Sequence, residues 1–210
     1  MSYPKTFVSG ILAGISIALG GVIFLSVENR MLGAFLFTVG LFSVCGFGFH
    51  LFTGKVCYVF QNDKDYALRL PVIWAGNLVG TGLVAGAAAL TRQGAALAEK
   101  AAALAAVKNG DSLVSIFFLG LICNIFIYIA VEGYGKLPHE VGKYMALVFG
   151  VMGFILCGTE HCVADMFYFW MGGAWSGRAV LSILVITLGN CAGGVALPLL
   201  RRCVSGDVSR

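Results

Sequence analysis

Long apolar stretches alternate with short polar segments along the whole chain. Six stretches can be distinguished, at residues 7–27, 31–60, 70–90, 113–131, 144–170 and 179–200. A helix needs about 20 consecutive apolar residues to cross the hydrocarbon core of a bilayer. Four stretches have about that length, whereas the second and fifth are longer. The pattern predicts an all-α membrane protein with six transmembrane helices.

The second and fifth stretches contain glycines and polar residues near their middles. The second reads Gly-Phe-Gly-Phe-His-Leu-Phe-Thr-Gly at 46–54, and the fifth reads Gly-Thr-Glu-His at 158–161. Hydrocarbon offers backbone groups no water, so irregular backbone at that depth persists only inside protein or beside a polar path. Paired interruptions in two halves of a membrane protein point to a substrate site. We therefore predict broken second and fifth helices, with Thr53 and His161 at the centre of a conduit.

The chain divides near residue 110 into halves that repeat the same features. Each half has three predicted spans, a broken second span and a Gly-Asn pair followed by glycine in its third span, at 76–80 and 189–193. Three crossings reverse the chain direction, so the halves are predicted to form an inverted 3+3 repeat.

This repeat is predicted to form a single channel domain over residues 1–210. Its halves cover approximately 1–92 and 108–203. The connector at 93–107 is rich in alanine, which favours helix, and it is expected to be a surface extension joining the halves.

Composition agrees with a membrane location. The chain is 59% hydrophobic and 11% charged, with mean hydropathy +0.91, whereas soluble domains carry about 25% charged residues. The predicted topology divides the basic residues into nine on the face of the termini and five on the other: Lys5, Lys55, Lys64, Arg69, Lys136, Lys143, Arg201, Arg202 and Arg210 against Arg30, Arg92, Lys100, Lys108 and Arg178. An excess of basic residues marks the cytoplasmic face. We expect a multi-pass protein of the cytoplasmic membrane with both termini in the cytoplasm, and no nucleic-acid partner.

The cysteines and acidic residues predict neither a metal site nor a cofactor. The seven cysteines form no Cys-x-x-Cys pair and lie mostly in apolar stretches, where free cysteine packs as a small hydrophobe. Asp165 follows His161 by four residues, a spacing that suits a metal, but no further histidine occurs in the spans of that half.

His161 and Thr53 are the residues best suited to chemistry. An ionisable residue inside a membrane indicates function, and histidine has the unperturbed pKa, about 6.5, that lies nearest physiological pH. The hydroxyl of Thr53 can donate to an anion or to the imidazole. We expect this pair to form a central site for proton exchange in the pore.

Four polar residues are expected to support this site. Glu160 is expected to accept hydrogen bonds from Asn124, Asn190 or freed backbone amides, which would hold the break open. Asn77 and Asn190 are costly in lipid, so they should face the interior and bond to polar groups.

Lysines mark both ends of the predicted path. Lys5 and Lys108 precede the first spans of the two halves, and the inverted topology places them at opposite membrane faces. Lysine at a helix end commonly extends to the interface, but a matched pair would also attract anions to each mouth. His50 and Lys55 flank Thr53 and could add positive charge there.

The motifs resemble those of the formate/nitrite transporter family of small-anion channels, which includes hydrosulfide channels. The resemblance is carried by Leu-Phe-Thr-Gly at 51–54, Gly-x-x-Cys-Asn at 120–124, Glu-His-Cys-Val-Ala-x-Met-Phe at 160–167 and Gly-Asn-x-x-Gly-Gly at 189–194. The motifs keep the family order over nearly the whole chain, and the Glu-His block is the most specific of them.

The resemblance implies an aquaporin-like protomer of six helices, assembled as a homopentamer with one pore per subunit. It also implies that Thr53 and His161 face each other between two apolar constrictions. By position, the constriction residues are Phe37, Leu41 and Phe154. Lys5 and Lys108 resemble the vestibule lysines, and Asn124 and Asn190 resemble polar partners of the histidine.

Four positions depart from the family pattern. Thr159 stands where relatives often have an aromatic residue, and Asp165 replaces a frequent asparagine. His50 and Lys55 replace acidic, amide or small residues. These departures leave open how selectivity is set.

These features predict passage of a small monovalent anion or weak acid, such as formate, nitrite, hydrosulfide or a short carboxylate, with transient protonation in the pore. The partners are then the anion, the lipid bilayer and further copies of the chain, and no enzyme activity is expected. One alternative is a channel for water, glycerol or ammonia. Another is a membrane thiol sensor or enzyme using Cys157, His161 and Cys162, although a reactive thiolate needs a basic, accessible neighbourhood. The preferred anion, proton coupling and gating stay open.

Overall fold

The described part of the chain is entirely helical. The computed structural model describes the backbone of residues 1–205 and the side chains of residues 1–204, so Arg210 of the charge count lies outside the described residues. Nine α-helices occur in this range: α1 (Tyr3–Ser26), α2 (Arg30–Phe47), α3 (Phe52–Val56), α4 (Lys64–Ala89), α5 (Gly94–Gly110), α6 (Leu113–Lys136), α7 (Glu140–Leu156), α8 (Cys162–Met171) and α9 (Gly177–Ser205). A short 3₁₀ turn, Val59–Gln61, follows α3, and no strand occurs in residues 1–205.

Five of these helices are long and apolar enough to cross a membrane. They are α1, α2, α4, α6 and α9. The fifth apolar stretch instead forms α7, with 17 residues, and the apolar α8, with 10 residues. The second stretch likewise contains the 18-residue α2 and the five-residue α3. The all-α class and the membrane-type helices predicted from the sequence are confirmed.

Glycine ends the long helix before each interruption. Gly48 follows α2 with φ +70°, and its N–H donates to the carbonyl oxygen of Val44. Gly158 follows α7 by two residues with φ +66°. Side chains other than glycine rarely adopt this left-handed conformation. The two glycines therefore turn the chain back into the protein instead of letting α2 and α7 continue.

Asn77 holds the segment between α2 and α3 in place. Its Oδ1 accepts a hydrogen bond from the N–H of Phe52, the first residue of α3, at 2.9 Å. Its Nδ2 donates to the carbonyl oxygens of Gly10 at 2.8 Å and His50 at 3.0 Å. One fully buried amide on α4 therefore satisfies three backbone groups on α1, the loop and α3.

Asn190 does the same for the segment between α7 and α8. Its Oδ1 accepts from the N–H of Cys162 at 2.9 Å. Its Nδ2 donates to the carbonyl oxygens of Gly120 and Glu160, both at 2.8 Å. The expectation that Asn77 and Asn190 face the interior and bond to polar groups is confirmed. We call these two sets of bonds the asparagine clasps.

The clasps also give a structural register between the two halves. Gly10 and Gly120 are 110 positions apart, as are His50 and Glu160 and as are Phe52 and Cys162. α1 and α6 each have 24 residues and also begin 110 positions apart. The third predicted spans of the two halves are α4 and α9, and they carry Asn77 and Asn190, which make equivalent hydrogen bonds.

The register does not relate the two residues predicted at the centre of the conduit to each other. A shift of 110 positions pairs His161 with Leu51 and Thr53 with Val163. Thr53 and His161 are therefore not symmetry equivalents, even though both lie at an interruption.

The close packing of the first and third helices in each half depends on small residues. The Cα atoms of Gly76 and Gly80 on α4 lie against the backbone of α1, and those of Gly189 and Gly193 on α9 lie against the backbone of α6. A Cβ atom at any of these four positions would overlap a backbone carbonyl oxygen. Small residues let membrane helices approach closely where no hydrophobic force drives them together.

The connector forms α5, which packs along the protein by one buried face while its other residues are exposed or half-buried. Leu97, Ala101 and Ala105 lie buried along one face of α5, which packs on α8. At the edge of this face, Lys100 donates to Glu28 Oε1 at 2.7 Å in the loop before α2, and this ammonium lowers the pKa of the Glu28 carboxyl. The buried stripe continues to Lys108, so α5 carries that lysine into the protein.

Replacing a clasp asparagine should destabilise the protein. Asn190→Leu and Asn77→Leu each leave buried backbone groups without partners, at a cost of about 1–3 kcal/mol or more per variant. We expect both to lower the melting temperature of the detergent-solubilised protein. Gln93→Leu is the matched control, because Gln93 is exposed and its side chain caps nothing. An equal melting temperature for Asn190→Leu and Gln93→Leu would contradict the importance of the clasp.

Candidate functional site

The two interruptions bring Thr53 and His161 into contact. Thr53 Oγ1 lies 2.9 Å from His161 Nε2, although the residues are 108 positions apart in the chain. Their exposed fractions are 0% and 2%. The expectation that these side chains face each other is confirmed, and their contact marks the centre of the candidate site.

The local backbone fixes which nitrogen of His161 carries the proton. His161 immediately precedes α8, and its Nδ1 accepts the N–H of Ala164 at 3.1 Å as a helix cap. A nitrogen that accepts an amide proton cannot carry its own proton, so the proton of the neutral ring belongs on Nε2. Nε2 then donates to Thr53 Oγ1. The Thr53 hydroxyl keeps its own proton, for which the described residues provide no bonded acceptor.

Aromatic residues form a wall on one side of this pair. The ring of Phe154 stacks on the imidazole of His161, with centroids 5.4 Å apart and planes at 22°. Phe37 meets Phe154 edge to face at 5.9 Å. Phe37 and Leu41 on α2 are each 1% exposed. Of the predicted constriction residues, Phe154 therefore lies against His161 and Phe37 touches Phe154, while Leu41 is buried on the same helix as Phe37.

Asn124 contacts the threonine side of the site. Its Nδ2 donates to the carbonyl oxygen of Thr53 at 3.0 Å, and it also lies 3.7 Å from the sulfur of Cys57. The sequence placed Asn124 among the partners of Glu160 or the histidine. The structure instead places it against α3, whose short helix leaves the Thr53 carbonyl available.

Glu160 pairs with a lysine, which differs from the expected set of amide donors. Lys108 Nζ donates to Glu160 Oε2 and also forms an ion pair with Asp165 Oδ1 at 2.9 Å. The side chains of Lys108, Glu160 and Asp165 are 11%, 5% and 2% exposed. A buried carboxylate needs a cation more than a neutral donor. Asn190 therefore bonds to the Glu160 backbone, and Lys108 bonds to its carboxylate.

This acidic cluster, Lys108 with Glu160 and Asp165, contains one cation for two carboxylates. If all three groups are ionised, its net charge is −1. The second carboxylate is incompletely satisfied, because Asp165 Oδ2 is buried without a hydrogen-bond partner among the described residues. Glu160, one of the two carboxylates, immediately precedes His161 in the chain, so the cluster is connected to the segment that carries the central pair.

The two predicted vestibule lysines occupy different surroundings. Lys5 lies in the first turn of α1 and is exposed. Lys108 lies in the last turn of α5, is 9% exposed and is held by two carboxylates. The structure thus gives no symmetrical pair of free lysines, because α5 turns the second one inward.

The remaining departures from the family pattern are spread around the site. The Thr159 hydroxyl donates to the carbonyl oxygen of Phe154 at 2.9 Å and so closes the end of α7. His50 lies in the loop before α3, and its backbone N–H donates to Ser9 Oγ at 3.0 Å. Lys55 follows Thr53 by two residues and lines an adjacent cavity with Leu51 and Gly54.

The described residues contain no other obvious chemical centre. Within residues 1–204, no group of three or more His, Cys, Asp or Glu side chains is arranged to bind a metal ion. All seven cysteines are free, and only Cys157 and Cys203 are exposed.

Sequence reasoning missed the acidic cluster, although part of its signal was present. The spacing of Leu97, Ala101, Ala105 and Lys108 follows one face of a helix, which would have placed Lys108 on a buried stripe. Nothing in the sequence indicated that this stripe packs on α8 beside Glu160 and Asp165.

Comparison with known proteins places the chain in a family. The sequence model described as Formate/nitrite transporter matches residues 1–202. Similar proteins include the uncharacterized transporter YrhG of Bacillus subtilis, with 28% identity over 91% of this chain and 81% of that protein. A probable formate transporter of Methanothermobacter thermautotrophicus is 29% identical over 90% and 84%, and the nitrite transporter NirC of Salmonella typhimurium is 28% identical over 90% and 78%.

The fold is also that of a solved structure, a pentameric formate channel with formate bound. It superposes with a TM-score of 0.82 and 24% identity, over 97% of both chains. Together with the family match over nearly the whole length, this shows that the chain belongs to the formate/nitrite transporter family.

Proposed function

We propose that this protein passes a small monovalent anion, or its conjugate weak acid, through a pore that runs between the two interruptions. The observation that carries the proposal is the contact between Thr53 and His161, a buried polar pair against an apolar wall. Two of the relatives are named as a probable formate transporter and a nitrite transporter, which supports substrates of that size and charge. Hydrosulfide and short carboxylates share the same chemistry.

The apolar wall opposes the passage of a bare charge. Moving an ion from water into surroundings such as those of Phe37, Leu41 and Phe154 carries a large desolvation cost. Protonation of the anion removes most of that cost, because the neutral acid needs far less solvation. In this mechanism the conjugate acid crosses the wall and loses its proton in the water beyond it.

The central pair supplies a hydrogen bond beside the apolar wall. The Thr53 hydroxyl donates to an oxygen or sulfur of the passing solute, and the Nε2–H of His161 holds the hydroxyl in that orientation. While Nδ1 caps α8, a proton given up from Nε2 would leave an imidazolate. The proton that accompanies the solute therefore comes from water in the vestibule. The carboxylates of Glu160 and Asp165 could also bind this proton inside the protein.

The same proposal includes the architecture around the pore. Six spans arranged as an inverted repeat of residues 1–92 and 108–203, joined by 93–107, are supported by the matching asparagine clasps. A homopentamer in the cytoplasmic membrane is supported by the solved channel, which is pentameric. The predicted charge distribution favours both termini in the cytoplasm. We propose a channel and not an enzyme, since the named relatives are transporters or channels.

Uptake by proteoliposomes tests the function directly. We expect saturable entry of formate, nitrite or hydrosulfide that increases as the external pH is lowered, since a larger share of each solute is then protonated. Vesicles without protein correct for passive diffusion of the acids. Passage of water or ammonia with no anion entry would favour the neutral-solute channel. Loss of anion entry in a cysteine-free variant would favour a thiol mechanism.

The central hydrogen bond is best tested at Thr53. Thr53→Val keeps the shape of the side chain but removes the donor, so we expect uptake to fall about tenfold, the equivalent of one hydrogen bond of about 1.4 kcal/mol. His161 is the poorer choice, because its substitution would also remove the α8 cap.

Thr38→Val is the matched control for this experiment. Thr38 is a buried threonine on α2 whose Oγ1 has no hydrogen-bond partner among the described residues. Its substitution should leave uptake and stability close to those of the wild type. Equal uptake by the Thr53→Val and Thr38→Val proteins would exclude the proposed role of the hydroxyl.

The acidic cluster should oppose anion entry. Asp165→Asn removes the carboxylate that exceeds the charge of Lys108, so we expect anion uptake at pH 7.5 to rise about two- to fivefold. The gain should shrink at low pH, where the wild-type carboxylates can share a proton and lose the excess charge. Glu99→Gln changes an exposed carboxylate on α5 and should have no effect. Slower uptake by the Asp165→Asn protein would show that the second carboxylate assists passage instead.

A further inference from the structure

A cavity of about 200 Å³ lies beside the central site. Its lining combines the end of α2, the loop before α3, α3 itself and the end of α6: Val44, Cys45, Gly48, Phe49, Leu51, Gly54, Lys55, Tyr58, Val131 and Tyr134. Leu51 and Gly54 flank the Phe52–Thr53 dipeptide, so the cavity reaches the segment that carries the central hydroxyl. It therefore adjoins the proposed pore.

Lys55 is the one cation in this lining, and no carboxylate neutralises it. Its side chain is partly buried, and among the described residues no carboxylate lies within 4.0 Å of its Nζ. Its backbone is fixed, because its carbonyl oxygen accepts from the Tyr66 hydroxyl at 2.7 Å. A partly buried ammonium with no anionic partner favours an anion in the space next to it.

The nearby carboxylate of Glu132 is engaged by other groups. Its Oε2 accepts from the Tyr58 hydroxyl at 2.9 Å, and its Oε1 pairs with Arg201 at 2.8 Å. Tyr58 lines the cavity, whereas Glu132 does not. Both carboxylate oxygens of Glu132 are therefore bonded to groups other than Lys55.

The cavity is large enough for a small hydrated anion. A water molecule takes about 30 Å³ in the liquid, so the space holds formate, nitrite or a short carboxylate together with several waters. A fully hydrophobic ligand would give the ammonium no counter-charge. The occupant that matches both charge and volume is a hydrated monovalent anion.

We propose that Lys55 forms an anion-binding site in this cavity, which concentrates the solute beside Thr53 before it crosses the apolar wall. The site rests on the proposed function, because it loads the same pore. Lys108 cannot bind an anion in this way beside α8, because Glu160 and Asp165 already neutralise its charge. Anion capture is therefore asymmetric, and the chain binds anions more strongly from the Lys55 side.

The side of the protein on which the Lys55 cavity lies can be defined by the position of the N-terminus. Tyr66 at the start of α4 contacts Lys55, and Asp65 beside it accepts from the hydroxyl of Tyr3 in the first turn of α1, at 3.2 Å. The cavity therefore opens towards the face that carries the N-terminus. An affinity tag at the N-terminus and its cleavage by added protease report the orientation in vesicles.

The experiment compares Lys55→Gln with Lys64→Gln in oriented proteoliposomes. Both variants remove one positive charge near the same face, but Lys64 is exposed and does not line the cavity. With formate added on the N-terminal side, we expect Lys55→Gln to raise KM about three- to tenfold at low salt and to leave the maximal rate nearly unchanged. The difference should diminish as ionic strength rises. Lys55→Arg should restore most of the affinity.

Three results would overturn the site. One is a KM for Lys55→Gln equal to that of Lys64→Gln in a protein that still conducts formate, which leaves the proposed function intact. Another is an equal effect from both faces, accompanied by a lower melting temperature, which would indicate a structural role. A wild-type protein that passes no formate, nitrite or hydrosulfide would overturn the proposed function and, with it, this site.

Discussion

A backbone amide that loses its helical partner inside a bilayer has no water to bond with, and this constraint shapes the centre of the protein. Each interruption exposes such groups, and a single asparagine side chain satisfies three of them. Asn77 and Asn190 do this from the third helix of their respective halves, with matching bonds to the first helix, the loop and the start of the short helix. Because the same bonds join three elements, they keep the two loops non-helical and position the segments that carry Thr53 and His161.

Electrostatics then distinguishes the two sides of the central pair. On the side of α5, one buried lysine faces two carboxylates. On the side of α3, Lys55 lines a cavity where no carboxylate pairs with it among the described residues. The backbone is nearly symmetrical in its hydrogen bonds, whereas the charges are not. In the proposed channel, this combination would let the two mouths of the pore differ in their affinity for anions while the central geometry stays the same.

The histidine shows how a local bond restricts chemistry. Its Nδ1 caps α8, which leaves Nε2 as the donor to Thr53. The residue that looks most like a proton source in the sequence is therefore built into the fold as an oriented hydrogen-bond donor. Proton transfer in the pore would then depend on water and on the carboxylates next to it.

The sequence by itself determined the helical class, the membrane location and the positions of both interruptions, because these follow from local composition: apolar length, and glycine where the chain must turn. It also identified Thr53, His161, Asn77 and Asn190, since polar residues at that depth must bond to something. Only the tertiary structure decided what they bond to. The inward turn of α5, the pairing of Lys108 with Glu160 and Asp165, the register that pairs His161 with Leu51, and the cavity at Lys55 all arise between segments distant in the chain. Such contacts depend on how helices pack, and helix packing leaves no local pattern in the sequence from which its partners can be derived.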